Sequence, residues 1–207
     1  MRGTTVGIVR TGVANTASVA AAFKRLGCDW TFVETASEVK RAELLVLPGV
    51  GSFGAGMEAL RAQGLTSALR DRIAGGLPTL AICLGLQLLC ASSEESPGVH
   101  GLGEISGEVR KLGVEGVRLP QFGWNWVEAD PIAPTLLSGY AYYANSYGLF
   151  ETPTGWAFAT TDYSGTFIAA LEKGPVLACQ FHPELSGAYG SSLLERWLER
   201  AKGALSC

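Results

Sequence analysis

Residues 77–90, LPTLAICLGLQLLC, read as an apolar strand that runs straight into an apolar helix, with Cys83 at the joint and Gly85 two places on. The segment AICLG has the form small-x-nucleophile-x-Gly, the pattern of a sharp strand-to-helix turn that holds one side chain up at the edge of a sheet. Such a turn folds its flanks tightly, so Ala81 and Gly85 need a small side chain or none. At this joint Cys83 is expected to gain an exposed sulfur and a positive helix terminus that favours the thiolate. It also gains the free N–H of Leu84 where an oxyanion would form. The alternative reading is a buried core cysteine, the common fate of a free thiol.

Outward from this joint, the first half alternates short apolar runs with helix-like segments: TTVGIV, TASVAAAFKRLG, WTFV, AELLVL, TSALRDRIAGG, LPTLAI and LGLQLL. Near-continuous apolar strands separated by helices predict an open α/β sheet, mostly parallel and flanked by helices on both faces. The glycines of LPGVGSFGAGM follow one strand and the Cys83 joint follows another, so both are expected at the carboxyl ends of strands, where open parallel sheets bind ligands. From about residue 101 the texture changes to glycine-punctuated, alternating segments such as GEVRKL, GWNWVEA, YAYYANSYGLF, WAFATT, FIAALEKG and PVLACQF, which predict antiparallel additions to the sheet. A closing helix, SSLLERWLERAK, puts Leu193, Leu194, Trp197 and Leu198 on one face. With no repeat and no linker, residues 1–207 are expected to form a single domain.

Composition narrows the function. At 47% hydrophobic and 17% charged the chain is globular, and its apolar runs break well before the length a spanning helix needs. The N-terminus MRGTTVGIVR lacks a signal-peptide core, which suggests the cytoplasm. A net charge of −3 with scattered Lys and Arg gives no footprint for nucleic acid or an anionic membrane. The cysteines at 28, 83, 90, 179 and 207 show no C-x-x-C spacing with histidines, so neither a disulfide framework nor a metal site is expected. Any imidazole base must be His100 or His182, the only two histidines.

Two further elements join Cys83. In VLACQFHPEL an apolar strand ends at His182, Pro183 and Glu184, and Pro183 biases His182 toward an extended conformation. Residues i and i+2 of an extended chain face the same way, so Glu184 can hold one ring nitrogen while the other faces a nucleophile. The competing histidine, His100, sits in the polar loop EESPGVHGLG. In LPGVGSFGAG the glycines allow close backbone approach; the loop lacks a P-loop's Lys-Ser/Thr and makes a poor dinucleotide fingerprint, so a second oxyanion donor near Val50 and Gly51 is its better use.

Together these residues resemble the class I (triad) glutamine amidotransferases, and most closely the glutaminase subunits of imidazole glycerol phosphate synthases. The resemblance spans nearly the whole chain: LPGVGSFGAGM is similar to the oxyanion loop, AICLGLQLL to the nucleophile elbow, LPQFGWNWV to the P-x-x-G-W-N segment, YYANSY to a late strand motif and QFHPELSG to the His-x-Glu ending. The elbow and His-Pro-Glu are class-wide, whereas the G-V-G-x-F-G loop and G-W-N segment are distinctive of this subunit.

The resemblance implies that Cys83 attacks the side-chain amide of L-glutamine and that His182 takes the thiol proton and later protonates the leaving ammonia. Glu184 orients the ring, and water hydrolyses the thioester. Leu84 and the Val50–Gly51 region would hold the oxyanion; Gln87, with Glu95, Ser146 and Tyr147, would contact substrate. No cofactor is implied. Ammonia would pass to a (β/α)8-barrel cyclase that also switches the glutaminase on, with Val50, Asn15, Gln121 and Leu185 as the candidate rim. Departures fall on that rim: RTGVANTASV lacks the usual Asp-Tyr and second glycine (Arg10, Thr11, Ala14), Gln121 and Asn145 stand where histidine is common, and Leu185 where lysine is. They leave open a paralogue that feeds a different synthase. A cysteine hydrolase of the α/β-hydrolase type fits less well, because its acid precedes its histidine. A non-catalytic regulatory subunit would have been free to lose Cys83, His182 or Glu184.

Overall fold

The computed structural model of the chain describes residues 4–10, 12, 15–113 and 115–205. The first half runs β1 (Thr5–Val9), α1 (Thr16–Arg25), β2 (Asp29–Val33), α2 (Ala36–Arg41), β3 (Leu44–Gly49), α3 (Phe53–Ala62), α4 (Thr66–Ala74), β4 (Thr79–Cys83) and α5 (Leu84–Leu89). The second half adds β5 (Cys90–Ser93), β6 (Ile105–Lys111), β7 (Gln121–Ala129), β8 (Gly139–Asn145), β9 (Tyr147–Leu149), β10 (Ala157–Asp162), β11 (Thr166–Lys173) and β12 (Val176–Cys179). A 3₁₀ turn (Pro183–Leu185) and α6 (Gly187–Leu205) complete it.

The main sheet has the order β2-β1-β3-β4-β12-β11-β10-β7-β8. Its β2 to β12 half is parallel, and the β11 to β8 half is antiparallel, as the change of texture near residue 101 implies. Strands β3 and β4 are buried along their whole length, which is why they read as unbroken apolar runs. Side chains alternate between two hydrophobic layers. Leu44, Val46, Leu80 and Ile82 join Phe23 of α1 and Trp197 of α6 on one face; Leu45, Leu47 and Ala81 join Met57 of α3 and Leu69 of α4 on the other.

The buried Arg72 guanidinium of α4 ties this second layer to the strand starts. It donates to the carbonyls of Val39, Ala42, Glu43 and Pro78 and to Thr79 Oγ1 at 2.7–3.1 Å. Burial lowers its pKa to about 10, yet every donor that reaches an oxygen offsets part of the desolvation.

Four local expectations need correction. Helix α2 escapes the apolar pattern because a capping box, Thr35 with Glu38, starts it and only Val39 is buried. Strand β6 is not an addition to the main sheet: it pairs with β5 and β9 in a separate three-stranded sheet. The run YAYYANSYGLF divides at Ser146, with β8 in the main sheet and β9 in the small one. The helix after Cys83 stops at Leu89, and Cys90 opens β5.

Parallel pairing of β4 with β12, in register Ile82 with Cys179, sets the next residues of both strands side by side. On the other flank β3 pairs with β4 so that Gly49 lies opposite Cys83. The sharp exit from β4 requires Gly85, where a Cβ would collide with the Leu47 carbonyl oxygen. At the other end α6 packs so closely that a Cβ on Gly190 would collide with the Pro183 carbonyl oxygen. Gly190→Ala is therefore expected to lower stability by about 1–3 kcal/mol in urea unfolding. Gly203→Ala, where a Cβ meets nothing within 4 Å, should be neutral or raise stability by up to ~1 kcal/mol.

Candidate active site

Cys83 joins β4 to α5 with φ 54° and ψ −109°, a conformation that costs a non-glycine residue on the order of 1–3 kcal/mol. The packing of α5 against β3 and β4 holds it there. Helix α5 has only six residues, so the unpaired N–H groups of its first turn, Leu84 first among them, face this point rather than a long macrodipole. The sulfur is less open than the sequence pattern implies: Cys83 is 7% exposed and forms the floor of a pocket of about 350 Å³.

His182, beyond the end of β12, also lines this pocket. It is extended, as expected before proline (φ −100°, ψ 94°), but Pro183 then starts the 3₁₀ turn. His182 and Glu184 therefore meet across a turn and not by strand alternation. His182 Nδ1 lies 2.8 Å from Glu184 Oε1, with both side chains almost wholly buried. Burial alone opposes charge on the ring. Hydrogen bonds with Cys83 and Glu184 and attraction to their negative charges outweigh it, raising the His182 pKa to about 10. The turn is fixed to β8 through one residue: the His182 N–H donates to the Tyr142 carbonyl (2.9 Å), and the Tyr142 N–H donates to Ser186 Oγ (2.9 Å). Ser186 Oγ in turn donates to the His182 carbonyl (2.6 Å).

On the opposite flank Val50 and Gly51 line the pocket, and Gly51 has φ 98°, a left-handed conformation that favours glycine. Ser52 caps α3, whose first turn is clamped from outside. The Phe53 N–H donates to Glu95 Oε2 (2.7 Å) and the Gly54 N–H to Ser96 Oγ (3.0 Å). Glu95 thus lines the pocket but spends one oxygen on this loop. Gln87 lines it too; its Nε2 donates to the Tyr147 carbonyl and to Gln180 Oε1, both at 3.0 Å. With both amide hydrogens used, only its carbonyl oxygen is left to meet a ligand. Ser146 and Tyr147 form the facing wall.

Other candidates fall elsewhere. His100 is exposed on a loop whose carbonyl accepts from Arg61. Gln121 is only 3% exposed: it points inward opposite Asn145, and the alternation of β7 gives the rim to Phe122 instead. Asn15 caps α1 by accepting from the Ser18 N–H. Leu185 is half-exposed in the 3₁₀ turn; Thr11, Ala14 and Cys207 lie outside the described residues. Cys28, Cys90 and Cys179 are buried, and burial pushes Cys90 to about 12 and Cys179 well up. Sequence reasoning missed Gln180, whose Nε2 lies 3.8 Å from Cys83 Sγ. Its only sequence signal is its place two residues before His182.

The class I glutamine amidotransferase family model matches residues 8–201. This chain belongs to that family. Within it, "Imidazole glycerol phosphate synthase subunit HisH" from Symbiobacterium thermophilum is 40% identical over 195 residues, covering 92% of this chain and 91% of that one. The protein of the same name from Deinococcus radiodurans is 42% identical, covering 88% and 87%. The chloroplastic hisHF protein of Arabidopsis thaliana is 37% identical over 90% of this amidotransferase, which spans 33% of that longer chain. These identities make it a member of the HisH group. A solved structure described as a glutamine amidotransferase shares the fold, with a TM-score of 0.76 at 21% identity over 95% of this chain and 98% of that one.

Because the His182 pKa is raised on folding, its contribution to stability is complete below the ordinary 6.5 and is lost as the pH climbs through about 10. In Glu184→Gln the His182 midpoint should fall toward the ordinary value in an imidazole NMR titration. The stability advantage of the unsubstituted amidotransferase over that variant should shrink as pH rises from about 7 to about 10.

Proposed function

We propose that this chain is the glutaminase subunit of an imidazole glycerol phosphate synthase, hydrolysing L-glutamine to L-glutamate and ammonia through a Cys83 thioester. The observation that carries this reading is the β4–β12 pairing, which brings Cys83 and His182 into one pocket with Glu184 bonded behind the imidazole. Cys83 attacks the amide carbon, and His182 holds the proton taken from the thiol and delivers it to the departing nitrogen. Glu184 fixes the ring through Nδ1, so Nε2 serves the reaction. The oxyanion of each tetrahedral intermediate is met by the Leu84 N–H and by an N–H near Val50 and Gly51, each worth roughly 3 kcal/mol. Gln87, Glu95, Ser146 and Tyr147 shape the pocket for the amino-acid end of glutamine. Water then hydrolyses the thioester, and Cys83 is restored.

Released into water, ammonia would protonate and lose its nucleophilicity, so we place a (β/α)8-barrel cyclase subunit over the pocket mouth. It would use the ammonia to form imidazole glycerol phosphate and an aminoimidazole carboxamide ribotide. An apolar surface beside the pocket supports this. Phe122, Trp124 and Trp126 project from β7, with Phe122 69% exposed, and edge-on ring pairs Trp124–Tyr142 and Trp126–Tyr140 extend the patch across β8. Val50, which lines the pocket, and Leu185 in the 3₁₀ turn are further exposed apolar side chains. We read the 207 residues as one amidotransferase domain working in the cytoplasm; among the described residues no helix is long and apolar enough to cross a membrane.

The test is Cys83→Ala in the complex reconstituted with the cyclase. Glutamine-driven turnover should vanish while turnover with added ammonium salt persists; a glutamine reaction that survives would sink the assignment. Trp124→Ala should weaken association with the cyclase by roughly tenfold or more in a binding titration.

A further inference from the structure

Gln180 has no part in the reaction just described, yet it is fully buried and its side chain ends at the sulfur. A carboxamide out of water is stabilising only if its polar atoms are paired, and an apolar residue of similar volume would fill the same space without that demand. The pairing also determines which way the amide faces. The Tyr147 carbonyl can only accept, so the atom of Gln87 that meets it must be Nε2. The same Nε2 then donates its second hydrogen to Gln180, which makes the Gln180 atom facing it Oε1. Gln180 Nε2 is left pointing at Cys83 Sγ, 3.8 Å away. A backbone carbonyl on β9 thereby dictates, through two carboxamides, that a donor faces the sulfur. The Gln180 backbone is fixed as well, its N–H donating to the Ala169 carbonyl at 2.8 Å.

We infer that Gln180 is a positioning residue for the nucleophile, holding Cys83 Sγ in place with an N–H bond that is strongest when the sulfur is a thiolate. This rests on the reading of Cys83 as the nucleophile. Hydrogen bonds to a charged acceptor are roughly twice as strong as neutral ones, so the bond favours the thiolate over the thiol. It favours the thiolate over the thioester sulfur too. When the second tetrahedral intermediate collapses, the C–S bond breaks and its electron pair stays on sulfur, where the Gln180 N–H receives it. Unlike His182, Gln180 exchanges no proton, so its N–H faces the sulfur throughout and only the strength of the bond follows the charge on sulfur. Gln87 becomes more than a pocket wall: it sets the orientation of Gln180.

The experiment compares unsubstituted protein, Gln180→Leu, Gln180→Glu and Gln87→Leu. Iodoacetamide alkylation of the Cys83 peptide is read by mass spectrometry across a pH series, and steady-state turnover is measured in the cyclase complex. Gln180→Leu should shift the midpoint of the Cys83 alkylation profile up by about one pH unit and lower glutamine-driven kcat by roughly ten- to a hundredfold, with KM and ammonium-driven turnover little changed. Gln180→Glu, which brings a negative charge to the sulfur, should shift the profile further. Gln87→Leu, which unlocks the Gln180 amide, should give an intermediate shift and reports even where the Gln180 variants fold poorly. Alkylation profiles that coincide with the unsubstituted protein in all folded variants would overturn the role of Gln180. That outcome is distinguishable from failure of the glutaminase reading, which is instead marked by glutamine turnover surviving in Cys83→Ala.

Discussion

The parallel hydrogen-bonded ladder between β4 and β12 is the constraint from which the rest of the site follows. Strands that are distant in sequence become neighbours, and their carboxyl ends open on the same side of the sheet. One strand leads into a sharp turn toward α5, the other into a 3₁₀ turn toward α6. The two turns present Cys83 and the His182–Glu184 pair to one another without any loop having to reach across the sheet. Apolar strands that are buried on both faces make this arrangement rigid, because a slip in register would move Leu80, Ile82, Leu177 and Cys179 out of the layer they fill and into the one on the opposite face.

Strain at Cys83 is the local counterpart of that rigidity. A positive φ at a side-chain-bearing residue persists only where its surroundings leave no alternative. Here Gly85 lets α5 lie against β3, and the second hydrophobic layer under α5 keeps it there. The neighbouring flank is stabilised differently. Glu95 and Ser96 reach from the segment after β5 to hold the first N–H groups of α3, so the Val50–Gly51 loop is anchored just beyond its end while its own backbone stays free of that clamp.

How much of this is legible in the sequence depends on the range of each interaction. The Cys83 turn is legible because its requirements, small residues at 81 and 85 and apolar runs on both sides, lie within a few residues. His182 and Glu184 are legible for the same reason, although the geometry of their pairing is not: Pro183 bends the chain where alternation would have kept it straight. Contacts that close over long separations leave no comparable trace. The clamp of Glu95 on Phe53 spans 42 residues, and the approach of Gln180 to Cys83 spans 97. The division of YAYYANSYGLF at Ser146 is hidden too, because both halves are strand and only the change of partner, fixed in part by the Leu112 N–H on the Ser146 carbonyl, separates them. Gln121 is misread on the rim because its place in a resembling motif does not say which face of the strand it takes, and the pleat turns it inward.

The hydrogen bonds that Tyr142 exchanges with His182 and Ser186 have a consequence for solubility. Strand β8 ends the main sheet, and an outer strand with bare N–H and C=O groups is a template on which another chain can assemble. The turn that carries His182 occupies those groups at Tyr142. One short segment therefore covers the middle of that outer strand while it holds the imidazole, so the same few residues serve the sheet's edge and the site.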